Sequence, residues 1–129
     1  MIVNVGILIA LGKQIEEQVG MINFIFIFVS TAVIGAVAYQ ILASENPAPM
    51  VGASGGVFGF FGFLKGKELF FRLKNNLTIL PFLNLVFGLV VLHIVLILLH
   101  PSIIPFEIGW HGHLGGFVFG VLLAGVIKK

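Results

Sequence analysis

The sequence contains no cysteine and no aspartate, and only 9% of its 129 residues are charged. Without cysteine there is no disulfide framework and no thiolate chemistry, so nothing is learned about redox compartment. A soluble domain carries about a quarter of its residues as charges, whereas this chain is 59% hydrophobic with a mean hydropathy of +1.17. Such a composition implies an integral membrane protein. The net charge of +2 is too small to suggest a nucleic-acid partner. The N-terminus has no basic leader region, and its apolar residues run into a charged stretch with no small-residue cleavage pattern, so no cleavable signal peptide is expected. The length suits one domain over residues 1–129, because a second would need roughly another hundred residues.

What is present is a series of apolar runs separated by polar punctuation. Met1 to Leu11 is apolar apart from Asn4, and Gly12 to Gln18 reads as a polar turn. Eleven residues cover only about 17 Å of a ~30 Å hydrocarbon core. The segment is therefore either re-entrant or the lower part of a helix that begins upstream; the second reading places Asn4 inside the bundle. Met21 to Ala43 is a full span, and Ser44 to Pro49 breaks it with two prolines. Val51 to Leu64 is again short, so its beginning is expected below the membrane surface, facing protein or a water-filled cavity. Lys65 to Asn76 reads as an amphipathic connection lying along the interface. Leu77 to Leu99 and Gly109 to Ile127 complete the set, with prolines in the loop between them. The expected fold is an all-α, polytopic transmembrane bundle of five helices, the first shortened.

Alternating spans place residues 12–20, 65–76 and the C-terminus on one side, where all seven lysines and arginines fall; the loops at 44–50 and 100–108 have none. The positive-inside rule makes the basic side cytoplasmic. Asn4, Ser54 and His113 then lie on helices that all run from outside to inside. Counted from Lys13, Lys65 and Lys128, they rise about 13, 16 and 22 Å, depths that tilt can bring together in the outer half.

An intramembrane histidine is a functional candidate by default. His113 begins His113-x-x-Gly116-x-x-x-Gly120, and Ser54 begins Ser54-Gly55-x-x-x-Gly59, each a face on which helices can approach closely. Either motif alone fits ordinary helix packing. Together, on helices of one direction, they suggest a serine hydroxyl within reach of a histidine base. Gly52-x-Ser54-x-Gly56 also matches the elbow of soluble α/β-hydrolases, but that motif needs a strand before the serine and an acid between it and the histidine; here a proline-rich turn precedes it, the chain has no aspartate, and Glu107 in an outer loop is the only carboxylate offered near the histidine, so the elbow reading is rejected. His111 and His113 point about 200° apart on a helix, and neither cysteine nor aspartate completes a ligand set, so neither a metal nor any other cofactor is expected. His100 and His111 read as interfacial, His93 as a satisfied bundle histidine, and Trp110 as an outer-interface anchor. Asn4 has two readings: a hydrogen bond across helices, or a donor to an oxyanion formed at Ser54.

The runs Gly52-Ala53-Ser54-Gly55-Gly56-Val57-Phe58-Gly59 and Gly112-His113-Leu114-Gly115-Gly116-Phe117-Val118-Phe119-Gly120 resemble the nucleophile motif G-x-S-G and the H-x-x-G-x-x-x-G motif of the rhomboid family of intramembrane serine proteases. Gly12 to Gly20 is similar to the cytoplasmic turn after that family's second helix. The resemblance implies Ser54 as nucleophile, His113 as base, Phe58 as the ring packed under the histidine, and Asn4 and Gly52 at the oxyanion and substrate-binding site. It also implies that the histidine of the family's H-x-x-x-N motif would fall just before Met1, as if the chain were truncated inside the second helix, without the first helix and its loop. The function implied is hydrolysis of peptide bonds in or near the transmembrane segments of protein substrates, at a site open to the outer side of the plasma or inner cell membrane. The alternatives are an inactive relative that binds membrane segments without cutting them, and a small transporter component.

Overall fold

The computed structural model describes residues 2–43, 53–99 and 109–128. They form α1 (Ile2–Leu42), α2 (Ser54–Lys74), α3 (Leu80–Leu99) and α4 (Trp110–Val126), and no strand occurs among the described residues. The all-α bundle is thus the observed architecture. Helix α1 is broken at Gly20, whose φ of 80° and ψ of 163° divide it into two arms. Five straight rods result.

The first arm is longer than its apolar run. Residues 12–18 do not form a turn; the helix continues to Val19 and spans about 27 Å. Leu8, Gly12, Ile15 and Val19 recur at helical spacing, and Gly12, Ile15 and Val19 are buried while Lys13 and Glu17 stay exposed. A polar stretch with one apolar face satisfies helix geometry, so the direction change waits for Gly20, where a conformation that other residues rarely adopt is needed. Asn23 Nδ2 donates to the Val19 carbonyl at 3.0 Å, supplying a partner at the end of the first arm.

Residues 65–74 are likewise not a separate interfacial segment. Helix α2 runs unbroken for 21 residues, about 31 Å, so Ser54 owes nothing to a short helix. Glu68 explains the continuity: Lys65 lies one turn before it at 3.2 Å and Arg72 one turn after it at 3.1 Å, a ladder at i, i+3 and i+7. The chain then reverses across Asn75 to Ile79, with Asn76 at φ 53°. Helix α3 begins three residues later than its apolar run, at Leu80, because Pro81 fits the first turn, where its missing N–H is no loss. The expected loops at 44–50 and 100–108 lie outside the described residues.

Contacts between helices set their directions. Gly55 meets Gly116 and Gly59 meets Gly120, so α2 and α4 run parallel; Thr31 meets Gly59 and Gly35 meets Gly55, so the second arm of α1 is antiparallel to both. The lysine- and arginine-bearing end of α2, the Gly20 break and Lys128 consequently gather at one end of the bundle. Lys67 Nζ sits 5.3 Å over the Phe63 ring and donates to the Ile127 carbonyl, where a cation is favoured just beyond the end of α4. The core lies in this half: Ile15, Val19, Ile27, Phe60, Phe63, Leu123 and Ala124, with Phe24 and Phe28 tilted against Phe60 at 4.9 and 5.4 Å. Helix α3 fully buries none of its residues; most of its apolar side chains are exposed, as suits a lipid solvent, while a half-buried stripe that includes Phe82, Val86, Leu89 and His93 faces the bundle. Twenty residues give it about 30 Å, a hydrocarbon thickness.

Two expectations follow for stability. A Cβ at Gly120 would collide with the Gly59 carbonyl, whereas one at Gly88 would meet nothing within 4 Å. Gly120→Ala should therefore lower stability by about 1–3 kcal/mol, and Gly88→Ala should be neutral or raise it by up to about 1 kcal/mol, both read by thermal unfolding in detergent micelles. Gly20→Ala has open space but the wrong backbone, and should cost about 1–3 kcal/mol in the same assay. Unchanged melting of Gly20→Ala would show that the break relaxes freely.

Candidate active site

The half of the bundle opposite the lysine-bearing end of α2 is built by a three-helix contact. A Cβ on Gly35 of α1 would lie 2.8 Å from the Gly112 carbonyl oxygen of α4 and 3.2 Å from Cα of Gly55 on α2. Ser54 is next to one of these glycines and His113 next to another. The register Gly55–Gly116 sets Ser54 one residue before its contact and His113 three before, a depth difference of about 3 Å.

Ser54 is the first residue of α2, half-buried, after an Ala53 that provides no side-chain cap. Phe58 follows one turn later, and helical side chains lean toward the N-terminus of their helix, so the Phe58 ring is directed back toward the level of Ser54. The His113 imidazole stacks on that ring with centroids 4.2 Å apart and planes 9° from parallel. Such a stack fixes the imidazole plane through dispersion and quadrupole contact. No hydrogen bond joins Ser54 to His113 among the described residues.

His113 instead bonds to α3. His93 Nε2 lies 3.0 Å from His113 Nδ1, and His93 Nδ1 lies 2.8 Å from the Leu89 carbonyl oxygen. The His93 ring stands edge-on to both Phe58, at 5.6 Å, and His113, at 5.3 Å. His93 is satisfied, but its partner is His113 itself. The connection was not apparent from the two residues' separation in the chain, although an intramembrane histidine was signal enough to look for a partner. His111 turns the other way, its ring 3.7 Å from that of Trp110 and edge-on to Tyr39 at 6.2 Å. It does not join His113, and no group of three metal-ligating side chains occurs among the described residues. An apolar cavity of about 270 Å³ opens beside the histidines, with Phe58, His93 and His113 on one side and Val86, Ile97 and Trp110 among its other walls.

Asn4 is half-buried on the first arm of α1 and makes no hydrogen bond to Ser54 or His113 among the described residues. Gly52, His100 and Glu107 lie outside the described residues. Gly55, Gly59, Gly116 and Gly120 form the α2–α4 seam.

The rhomboid protease GluP of Bacillus subtilis (strain 168) is 26% identical to this chain over 124 residues, which is 92% of this chain and 21% of that protein. The chain thus spans about a fifth of the length of this relative. No solved structure matches it. The model of the rhomboid domain matches residues 1–129. A match over the whole chain, on a bundle of membrane-type helices, places this protein in the rhomboid family, whose relative GluP is named a protease.

Proposed function

We propose that the protein is an intramembrane serine endopeptidase that cuts peptide bonds in or near transmembrane segments, with Ser54 as nucleophile and His113 as general base. The observation that carries this reading is the His113–Phe58 stack one helical turn from Ser54. It supports an imidazole near the level of the serine hydroxyl, in a bundle where, among the described residues, no carboxylate is bonded to His113.

The chemistry divides into two displacements. His113 takes the hydroxyl proton as Ser54 Oγ bonds to the substrate carbonyl carbon, and returns it to the leaving amine as the C–N bond breaks. Water then repeats the cycle on the acyl-enzyme. The oxyanion is assigned to the Ser54 backbone N–H, in the first turn of α2 where N–H groups have no intrahelical partner, with Asn4 and Gly52 contributing by resemblance to the family. A substrate helix has to unwind locally to present a bond, so segments weakened by glycine or proline are the favoured substrates. The positive-inside rule puts the lysine-bearing end in the cytoplasm and the site toward the outer side of the plasma or inner membrane.

The unformed Ser54–His113 hydrogen bond is what a binder without activity would also have, although catalytic bonds often tighten only when substrate arrives. A fluorophosphonate probe separates the two. The wild-type protein in micelles should be labelled and Ser54→Ala should not; equal labelling of both sinks the assignment. Phe58→Ala, which removes the stack, should slow labelling by about fivefold to tenfold, and Phe58→Tyr should not.

A further inference from the structure

We propose that His93 is the positioning residue of this site: through its bond to Nδ1 it holds His113 in the tautomer whose bare Nε2 is available as the base. The proposal rests on the Ser54–His113 reading for its catalytic consequence, but the assignment of the tautomer stands on geometry alone.

The Leu89 carbonyl oxygen can only accept a hydrogen bond, so His93 Nδ1, 2.8 Å away, carries a proton and donates it. A neutral imidazole has one N–H, so His93 Nε2 is then an acceptor. At 3.0 Å from it, His113 Nδ1 must be the donor. The second neutral ring has also used its one N–H, and its Nε2 is left with a lone pair. The reverse polarity would require a cationic His93 with both nitrogens donating. Among the described residues no carboxylate faces it: Glu16 and Glu17 lie toward the Gly20 end of the first arm, and Glu68 is in the far part of α2, while Glu45 and Glu107 lie outside the described residues. An unpaired charge among Phe58, Leu89 and the apolar cavity wall would be strongly disfavoured.

The arrangement performs part of what a buried carboxylate does in a Ser-His-Asp triad, namely fixing ring orientation and tautomer. When the Ser54 proton moves to His113 Nε2, the new imidazolium keeps its Nδ1–H on His93 Nε2, and that bond becomes charge-assisted. No proton leaves Nδ1. His93 therefore acts through His113 and touches neither substrate nor nucleophile.

The test uses the whole chain in micelles with ¹⁵N-labelled histidine rings, the His113 signals being assigned by their loss in His113→Ala. Wild type should show a protonated Nδ1 and an unprotonated Nε2 on His113. His93→Phe keeps ring volume but removes the acceptor; it should shift His113 to the other tautomer or a mixture and slow fluorophosphonate labelling of Ser54 at least about tenfold. His93→Gln, whose side-chain oxygen can accept from Nδ1–H, should restore most of the labelling rate. A wild-type His113 protonated on Nε2 overturns the proposal, even if no variant folds. So does a His93→Phe protein with unchanged His113 signals and labelling. If the tautomer responds to His93 but wild-type Ser54 is never labelled, the positioning role stands and the protease reading fails.

Discussion

The contact on which the structure depends is between backbones: the Gly55 and Gly59 carbonyls of α2 lie directly against the α-carbons of Gly116 and Gly120 in α4. In lipid there is little hydrophobic gain from bringing helices together, because the tails are as apolar as the side chains, so association depends on close packing. Glycine removes the atoms that would hold two rods apart and lets Cα–H groups face carbonyl oxygens, each such contact adding about 0.5–1 kcal/mol. Thr31 makes a comparable fit against Gly59 from α1, and it is fully buried because its hydroxyl donates back to the Ile27 carbonyl at 2.7 Å.

That seam determines where chemistry can occur. The three helices converge at Gly35, Gly55 and Gly112, and Ser54 and His113 are covalent neighbours of the last two. Their relative depth is therefore set by backbone contact and not by long side chains. Toward the lysine-bearing end of α2 the close contacts continue at Gly62 and Gly66, against Phe117 and Val121 of α4, and large side chains fill the space beside them, with Phe60, Phe63, Ile15 and Ile27 excluded from solvent. One end of the bundle is rigid packing; the other brings polar groups and an apolar cavity side by side.

The sequence discloses the helices far better than their ends. Apolar runs longer than a globular helix core identify α1, α3 and α4 directly, and a spacing of four between Gly55 and Gly59, and between Gly116 and Gly120, marks one face on each of the helices that meet. Polar stretches hide the continuity of two helices. Gly12 to Gln18 looked like a turn, yet Ile15 and Val19 supply a buried face that keeps it helical to Gly20. Lys65 to Asn76 reads as an interfacial strip, yet Glu68 ties it to the preceding turn and the helix continues to Lys74. Polarity reports solvent exposure, and an exposed helix end resembles a loop when read residue by residue. The His93–His113 bond was hidden for a different reason: it depends on the rotation of α3 about its own axis, which an all-round apolar helix does not encode.

The same feature explains why a neutral ring suits this position. A carboxylate on α3 would stabilise an imidazolium more strongly, but it would have to remain ionised on a helix that buries no residue and faces lipid on most sides. The cost of that charge would be paid in every resting molecule, whereas the benefit would exist only during proton transfer. Imidazole avoids the resting cost. Its Nδ1–H is satisfied within its own helix by Leu89, one turn earlier, and only its Nε2 reaches out to α4. Helix α3, which has no glycine seam of its own, is thus joined to the site, among the described residues, by a polar bond whose direction also sets the protonation of His113.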